Sequence, residues 1–179
     1  MDYLKILHEN PDLAEEFDSL FDFFLLDELS PRDDAEGRCT FSMPGMAFAR
    51  DGSGGEYHLL EDGSIGYYSS EGEAGRLAES MDDLFSLLVS CICWHDCCDA
   101  KQYVDSKTLE EYGQRQRNTN LEDMDSLRRV SDALGIPTGE PLAPVLERFR
   151  KATQREPLYQ CIFHEDDGSL TESYGLMFE

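Results

Sequence analysis

The chain has 179 residues, 40% of them hydrophobic, and a formal net charge of −23. Folding at this length buries about 70% of the unfolded surface, enough for one sizeable core but cramped for two independent domains. The apolar and aromatic content excludes a disordered polyelectrolyte. Acidic charge on this scale repels nucleic acid and attracts basic proteins.

The charge is uneven. Residues 1–100 hold 23 Asp and Glu against 5 Lys and Arg, and residues 101–179 hold 15 against 10. The N-terminus lacks a basic segment followed by an apolar run, and no stretch is long enough to span a bilayer. With six cysteines in a chain of this size and no export signal, reduced thiols in the cytoplasm are expected.

In chain order, Asn10-Pro11 is a helix start. Leu13, Phe17, Leu20, Phe21 and Phe24 follow at helical spacing, predicting a helix that ends before Pro31. Strands are predicted over Arg38–Met43, Met46–Arg50, Glu56–Glu61 and Ser64–Ser69, with a further short one near Gly75–Ala78. Asp51-Gly52-Ser53-Gly54-Gly55 reads as a turn, and Asp62-Gly63 as the link of a hairpin. Ser80 with Asp83 opens a strongly apolar helix whose stripe runs Leu84, Leu87, Leu88, Cys91 and Trp94. Beyond Asp99 the chain turns helical and mixed in charge. A short helix is predicted over Thr108–Gln116, interrupted at Gly113. A second is capped by Asn120 and stopped by Gly135-Ile136-Pro137, and a third covers Pro141–Thr153. Tyr159–His164 and Leu170–Gly175 read as a terminal hairpin around Asp167-Gly168.

The middle of the chain resembles the SUKH superfamily. Met46-Ala47-Phe48-Ala49-Arg50 running into Asp51-Gly52-Ser53-Gly54-Gly55-Glu56-Tyr57 resembles that family's apolar strand, glycine-rich turn and aromatic strand. Gly66-Tyr67-Tyr68, Leu77-Ala78-Glu79-Ser80 and Met81-Asp82-Asp83-Leu84-Phe85-Ser86-Leu87-Leu88 follow in the family's order. The likeness covers about residues 40–95. It implies an α+β fold with an antiparallel or mixed sheet packed by helices over residues 1–99, extended by a mainly helical part over 100–179. It also implies protein binding in place of catalysis. Many bacterial members are immunity proteins that neutralise a cognate toxin, often a nuclease, and fungal relatives regulate cell-wall assembly.

Cys91, His95 and Cys98 would share one face of a continuous helix at i, i+4 and i+7, a spacing that could hold zinc, although no second ligand pair lies at zinc-finger spacing. Ordinary buried cysteines are the competing reading. The glycine turn has neither the Lys-Ser/Thr of a phosphate loop nor the glycine required at the sixth position of a calcium loop. Paired carboxylates such as Glu165-Asp166-Asp167 abound, but no pair is marked as catalytic, and His8, His58 and His164 stand alone.

The expectation is therefore a cofactor-free, non-catalytic domain binding a basic protein, foremost a toxin whose active face it masks. The residues expected at the contact are Asp33, Asp34, Asp51, Glu56, Glu61, Asp62, Glu71 and Glu73. A regulatory scaffold of the same fold, and a metal- or thiol-dependent enzyme centred on Cys91–Cys98, are the alternatives.

Overall fold

The structure, a computed structural model, describes residues 2–31 and 38–177. Two short helices open it. In α1, Tyr3–Glu9, the Asp2 carboxylate accepts the Lys5 backbone N–H at 3.2 Å. The second helix, α2, Pro11–Phe21, begins at the expected Asn10-Pro11 step and stops at Asp22, which turns left-handed with φ 50°. The predicted helix does not continue to Phe24. Phe24–Pro31 forms strand β1 instead, because two adjacent phenylalanines must part company here. Phe23 enters an aromatic cluster with Phe17, Tyr57 and Phe85, while Phe24 faces solvent at 60% exposure. That alternation suits a strand's period of two, not a helix's 3.6.

Strands β3 (Gly45–Arg50), β4 (Glu56–Leu60), β5 (Ile65–Tyr68) and β6 (Ala74–Ala78) follow the predicted positions closely. They join β1 in an antiparallel five-stranded sheet of order β1-β3-β4-β5-β6. Strand β2, Cys39–Phe41, leaves this sheet to pair with β7, Cys161–His164, and β7 pairs with β8, Leu170–Glu172. The chain is thus α+β, with its main sheet antiparallel.

The two faces of the main sheet are covered differently. Tyr57, Ile65, Tyr67 and Leu77 join the large core shared with the helices. Residues of opposite parity face β2 and β7: Leu60 packs with Met43 and Tyr159, and the Tyr159 hydroxyl lies 3.0 Å from His58 Nδ1. His58, which looks isolated in the sequence, is fully buried between Tyr159 and Glu56. Gly66 allows the close approach, since a Cβ there would lie 2.7 Å from the Tyr159 ring.

Helix α3, Met81–Cys91, carries the predicted cap, with Ser80 Oγ accepting the Asp83 N–H at 3.1 Å and donating to its carboxylate at 2.9 Å. It ends earlier than the apolar stripe suggests. Ile92 adopts φ 67° and ψ −65°, and the Cys93 N–H donates to the Cys91 carbonyl at 2.9 Å, closing a three-residue γ-turn of the strained kind. Trp94 is buried outside the helix, edge-on to Tyr67 and Phe149.

Helix α4, Ser106–Asn120, runs unbroken through Gly113, where Leu142 and Leu146 fill the space a side chain would need. Asn120 is its last residue, not the cap of the next helix. Asp123 takes that role, accepting the Asp125 and Ser126 N–H groups of α5, Met124–Leu134, which ends at left-handed Gly135. Helix α6, Leu142–Gln154, lies against α3, α4 and β6. No helix among the described residues is long and apolar enough to cross a membrane.

Replacing Gly66 by Ala should destabilise the fold by about 1–3 kcal/mol, because the Tyr159 ring is wedged between two sheets and cannot withdraw. Gly139→Ala, with open space around it, should stay within about 0.5 kcal/mol. Urea unfolding of the two variants checks the contrast.

Candidate functional site

In an antiparallel meander, successive turns fall at opposite ends of the sheet. The β3–β4 turn (residues 51–55) and the β5–β6 turn (residues 69–73) share one end, with the end of α2 beside them. The β4–β5 turn (residues 61–64) lies at the other end, a strand of roughly 15 Å away. This topology divides the acidic residues singled out from the sequence into two sets with opposite electrostatic surroundings.

At the β4–β5 end most of the acidic charge is compensated. Asp62 accepts hydrogen bonds from Ser64 and faces Arg76 at 3.5 Å, and Arg155 at the end of α6 bridges Asp62 to Glu79. Arg76 is 1% exposed and bolts the layers together: it donates to Ser64 Oγ at 2.9 Å and to the Arg155 and Pro157 carbonyls at 2.8 and 3.2 Å. Burial tends to raise the Asp62 pKa, but the Ser64 hydrogen bonds and the two arginines hold it below the usual carboxylate value. Glu61, beside it, is exposed.

At the other end Asp51 is buried, not presented to solvent. Its Oδ1 accepts the Ser53 N–H at 2.9 Å, the Ser53 hydroxyl at 2.8 Å and the Gly55 N–H at 2.7 Å, and its Oδ2 accepts the Tyr67 hydroxyl. Burial would raise its pKa, yet these donors and the nearby His95 hold it low. Asp51 thus pins the glycine turn to β5. Its carboxylate is unavailable for the surface contact expected of it. Glu56 is largely committed as well, to Arg50 at 2.8 Å and His58 at 3.2 Å.

Glu71 is exposed and Glu73 half-buried at this same end. Desolvation first, and then the charge of Glu71, raise the Glu73 pKa. Asp33 and Asp34 lie outside the described residues.

The structure adds acids that no motif marked. Asp22 accepts the Gly52 N–H at 2.9 Å, tying α2 to the glycine turn. Asp18, one helical turn earlier, has its pKa raised by desolvation and then by Asp22. Next to them lies a cavity of about 450 Å³, walled by Glu16, Asp22, Glu122 and Asp123 and by Trp94 and His95. Of these acids, Glu16 is paired with Arg129 and Asp123 is used as the α5 cap. No local sequence signal identifies the group, because Asp22, Trp94 and Glu122 meet only through tertiary packing.

His95 stacks on Trp94, ring centres 3.7 Å apart, with Nε2 3.9 Å from Asp51 Oδ2. Its side chain is 41% exposed, and the partial desolvation of the ring lowers its pKa, with Asp51, Asp96 and Asp22 opposing that only in part. Cys93, on the cavity wall, has its thiol pKa pushed up mainly by burial, the reverse of what a nucleophilic cysteine needs. The metal reading loses its geometric basis. Cys91 ends α3, the γ-turn intervenes, and His95–Cys97 is a separate short 3-10 turn, so the three side chains do not share a helical face. Among the described residues no group of three His, Cys, Asp or Glu side chains is placed to hold a metal ion. Comparison with protein families, curated proteins and solved structures finds no match.

The lowered His95 pKa has a consequence for stability. Its folded value lies below the ordinary histidine value of about 6.5, so the unfolded chain takes up the proton first. Stability contributed by neutral His95 is complete above that value and lost as pH falls through the folded one. His95→Gln should flatten the stability profile between pH 7 and the folded value relative to the native chain, as followed by urea unfolding at a series of pH values. Parallel profiles would contradict the assignment.

Proposed function

We propose that this chain is a non-catalytic protein-binding domain whose acidic sheet end receives the basic face of a protein partner. The observation that carries the reading is the uncompensated charge there. Desolvation, and then the neighbouring charge of Asp22 and of Glu71, raise the pKa of Asp18 and Glu73, whereas Asp62 at the opposite end is held low by Ser64 and two arginines. Carboxylates in each other's field lose that repulsion when a cationic surface docks, so the repulsion is returned as binding energy and as electrostatic steering.

A catalytic reading has less support. The cavity's thiol is deactivated, and Asp51, the acid closest to His95, is consumed by the turn it holds. The SUKH resemblance of residues 40–95, together with the order strand, glycine turn, two strands, strand and capped helix, supports the finer proposal. On that reading the partner is a toxin, a phosphate-binding nuclease among the options, whose active face the acidic end covers.

The test is to capture partners on the immobilised chain, identify and purify the bound protein, and measure association kinetics. The partner should be basic, and its association rate should fall at least tenfold between low and high salt. The paired substitution Glu71→Lys with Glu122→Lys should slow association by a similar factor, while Glu61→Lys at the β4–β5 end should change it less than twofold. A partner without basic character, or rates indifferent to salt and to the paired substitution, would overturn the reading.

A further inference from the structure

The two edges of the main sheet are finished differently. At β6 the C-terminal segment bridges the start of the strand: the Ala74 N–H donates to the Tyr174 carbonyl at 2.8 Å, and the Tyr174 N–H donates to the Gly72 carbonyl at 3.0 Å. Leu176 then packs over Gly75, and α6 covers the strand. At β1 no corresponding segment is present among the described residues. This eight-residue strand pairs with β3 alone, in register at Phe24, Leu25, Ser30 and Pro31.

The composition of this open edge is specific. Phe24 at one end and Leu29 near the other are 60% and 50% exposed, and Met46, opposite Pro31 on β3, is 36% exposed. Between the two apolar residues stand Asp27 and Glu28, both exposed and without an ion pair among the described residues. The register breaks between Leu25 and Ser30, where β1 carries more residues than the β3 segment facing it, so the middle of the strand bulges. A bulge with charges on it blunts an edge against unselective pairing. A second copy would bring the same two carboxylates against these, on a chain already at −23. A strand carrying Lys or Arg would neutralise them while its apolar residues cover Phe24 and Leu29.

We infer that β1 is a docking edge that accepts an added β-strand from a partner, one whose side chains alternate basic with aliphatic or aromatic residues. Main-chain hydrogen bonds to the free edge supply affinity, and Asp27 and Glu28 supply selection by charge. The strand's start at Phe24 adjoins Asp22 on the cavity wall, so an added strand would run directly into the acidic end. This inference rests on the protein-binding reading but fixes a surface and a mode that the reading leaves open.

The probe is a phage-displayed library of random twelve-residue peptides selected against the full chain, with enriched peptides synthesised and followed by amide hydrogen exchange. Enriched sequences should alternate Lys or Arg with Val, Ile, Phe or Tyr, and should slow exchange at least tenfold within residues 24–31. The exposed double substitution Phe24→Lys with Leu29→Lys should weaken their binding at least tenfold with the melting temperature unchanged. Should it unfold the chain, Asp27→Lys with Glu28→Lys gives the same readout by repelling the basic peptide. Basic peptides that protect other elements and ignore these substitutions would overturn the edge and leave the protein-binding reading standing. A library that yields no basic binders would overturn both, and a dimer paired through β1 would replace the partner strand with a second copy.

Discussion

Where a chain with 15 cationic and 38 acidic residues places its few cations decides what its surface can do. Here four of the arginines hold layers together. Arg76 and Arg155 clamp the β4–β5 turn to the end of α6, Arg148 reaches Asp83 at the start of α3, and Arg129 fastens α5 to Glu16 on α2. Each of these side chains crosses between elements distant in sequence. The opposite end of the sheet has Arg50 against Glu56 and a histidine biased toward neutrality. Asp18 is left beside Asp22, and Glu73 beside Glu71, with no ion pair to any of the four among the described residues. The charge asymmetry is therefore a by-product of how the fold is fastened, and the proposed docking of a cationic surface rests on it.

The stability of that end comes from groups that would otherwise count toward its charge. Asp51 is removed from the surface and converted into the hub of a tight turn, with Tyr67 anchoring it to the central strand. Asp22 joins the same turn to α2 through Gly52. On the proposed binding reading, a turn cross-linked in this way before a partner arrives would lower the ordering cost of binding. Trp94 adds to it from below, donating to the buried Tyr57 hydroxyl at 3.0 Å and stacking on His95.

Much of the fold was legible in local chemistry. The Asn10-Pro11 start, the Asp-Gly turns and the Ser80 cap each announce themselves by residues that only certain backbone conformations favour, and each is where its signal put it. The failures share a physical cause. Phe24 has helical spacing from Phe17 and Phe21, but its fate is decided by Phe23 entering the aromatic cluster. Helix α3 stops at Ile92 without glycine or proline, so nothing in the sequence marks the γ-turn. Gly113 reads as a break but accommodates Leu142 and Leu146 from a helix that arrives thirty residues later. The pairing of β2 with β7 joins strands more than a hundred residues apart. The acidic residues were identifiable as a class. Which of them are buried, paired or uncompensated depends on the meander's two ends, and that is a property of topology alone.

The electrostatic difference between those ends can be read directly from the titration of individual carboxyl groups by NMR. Asp18 and Glu73 should titrate above the ordinary Asp and Glu values and Asp62 below, with added salt removing only the part of the Asp18 and Glu73 shifts that comes from Asp22 and Glu71. Ordinary values for Asp18 and Glu73, or a shift of Asp62 in their direction, would contradict the account.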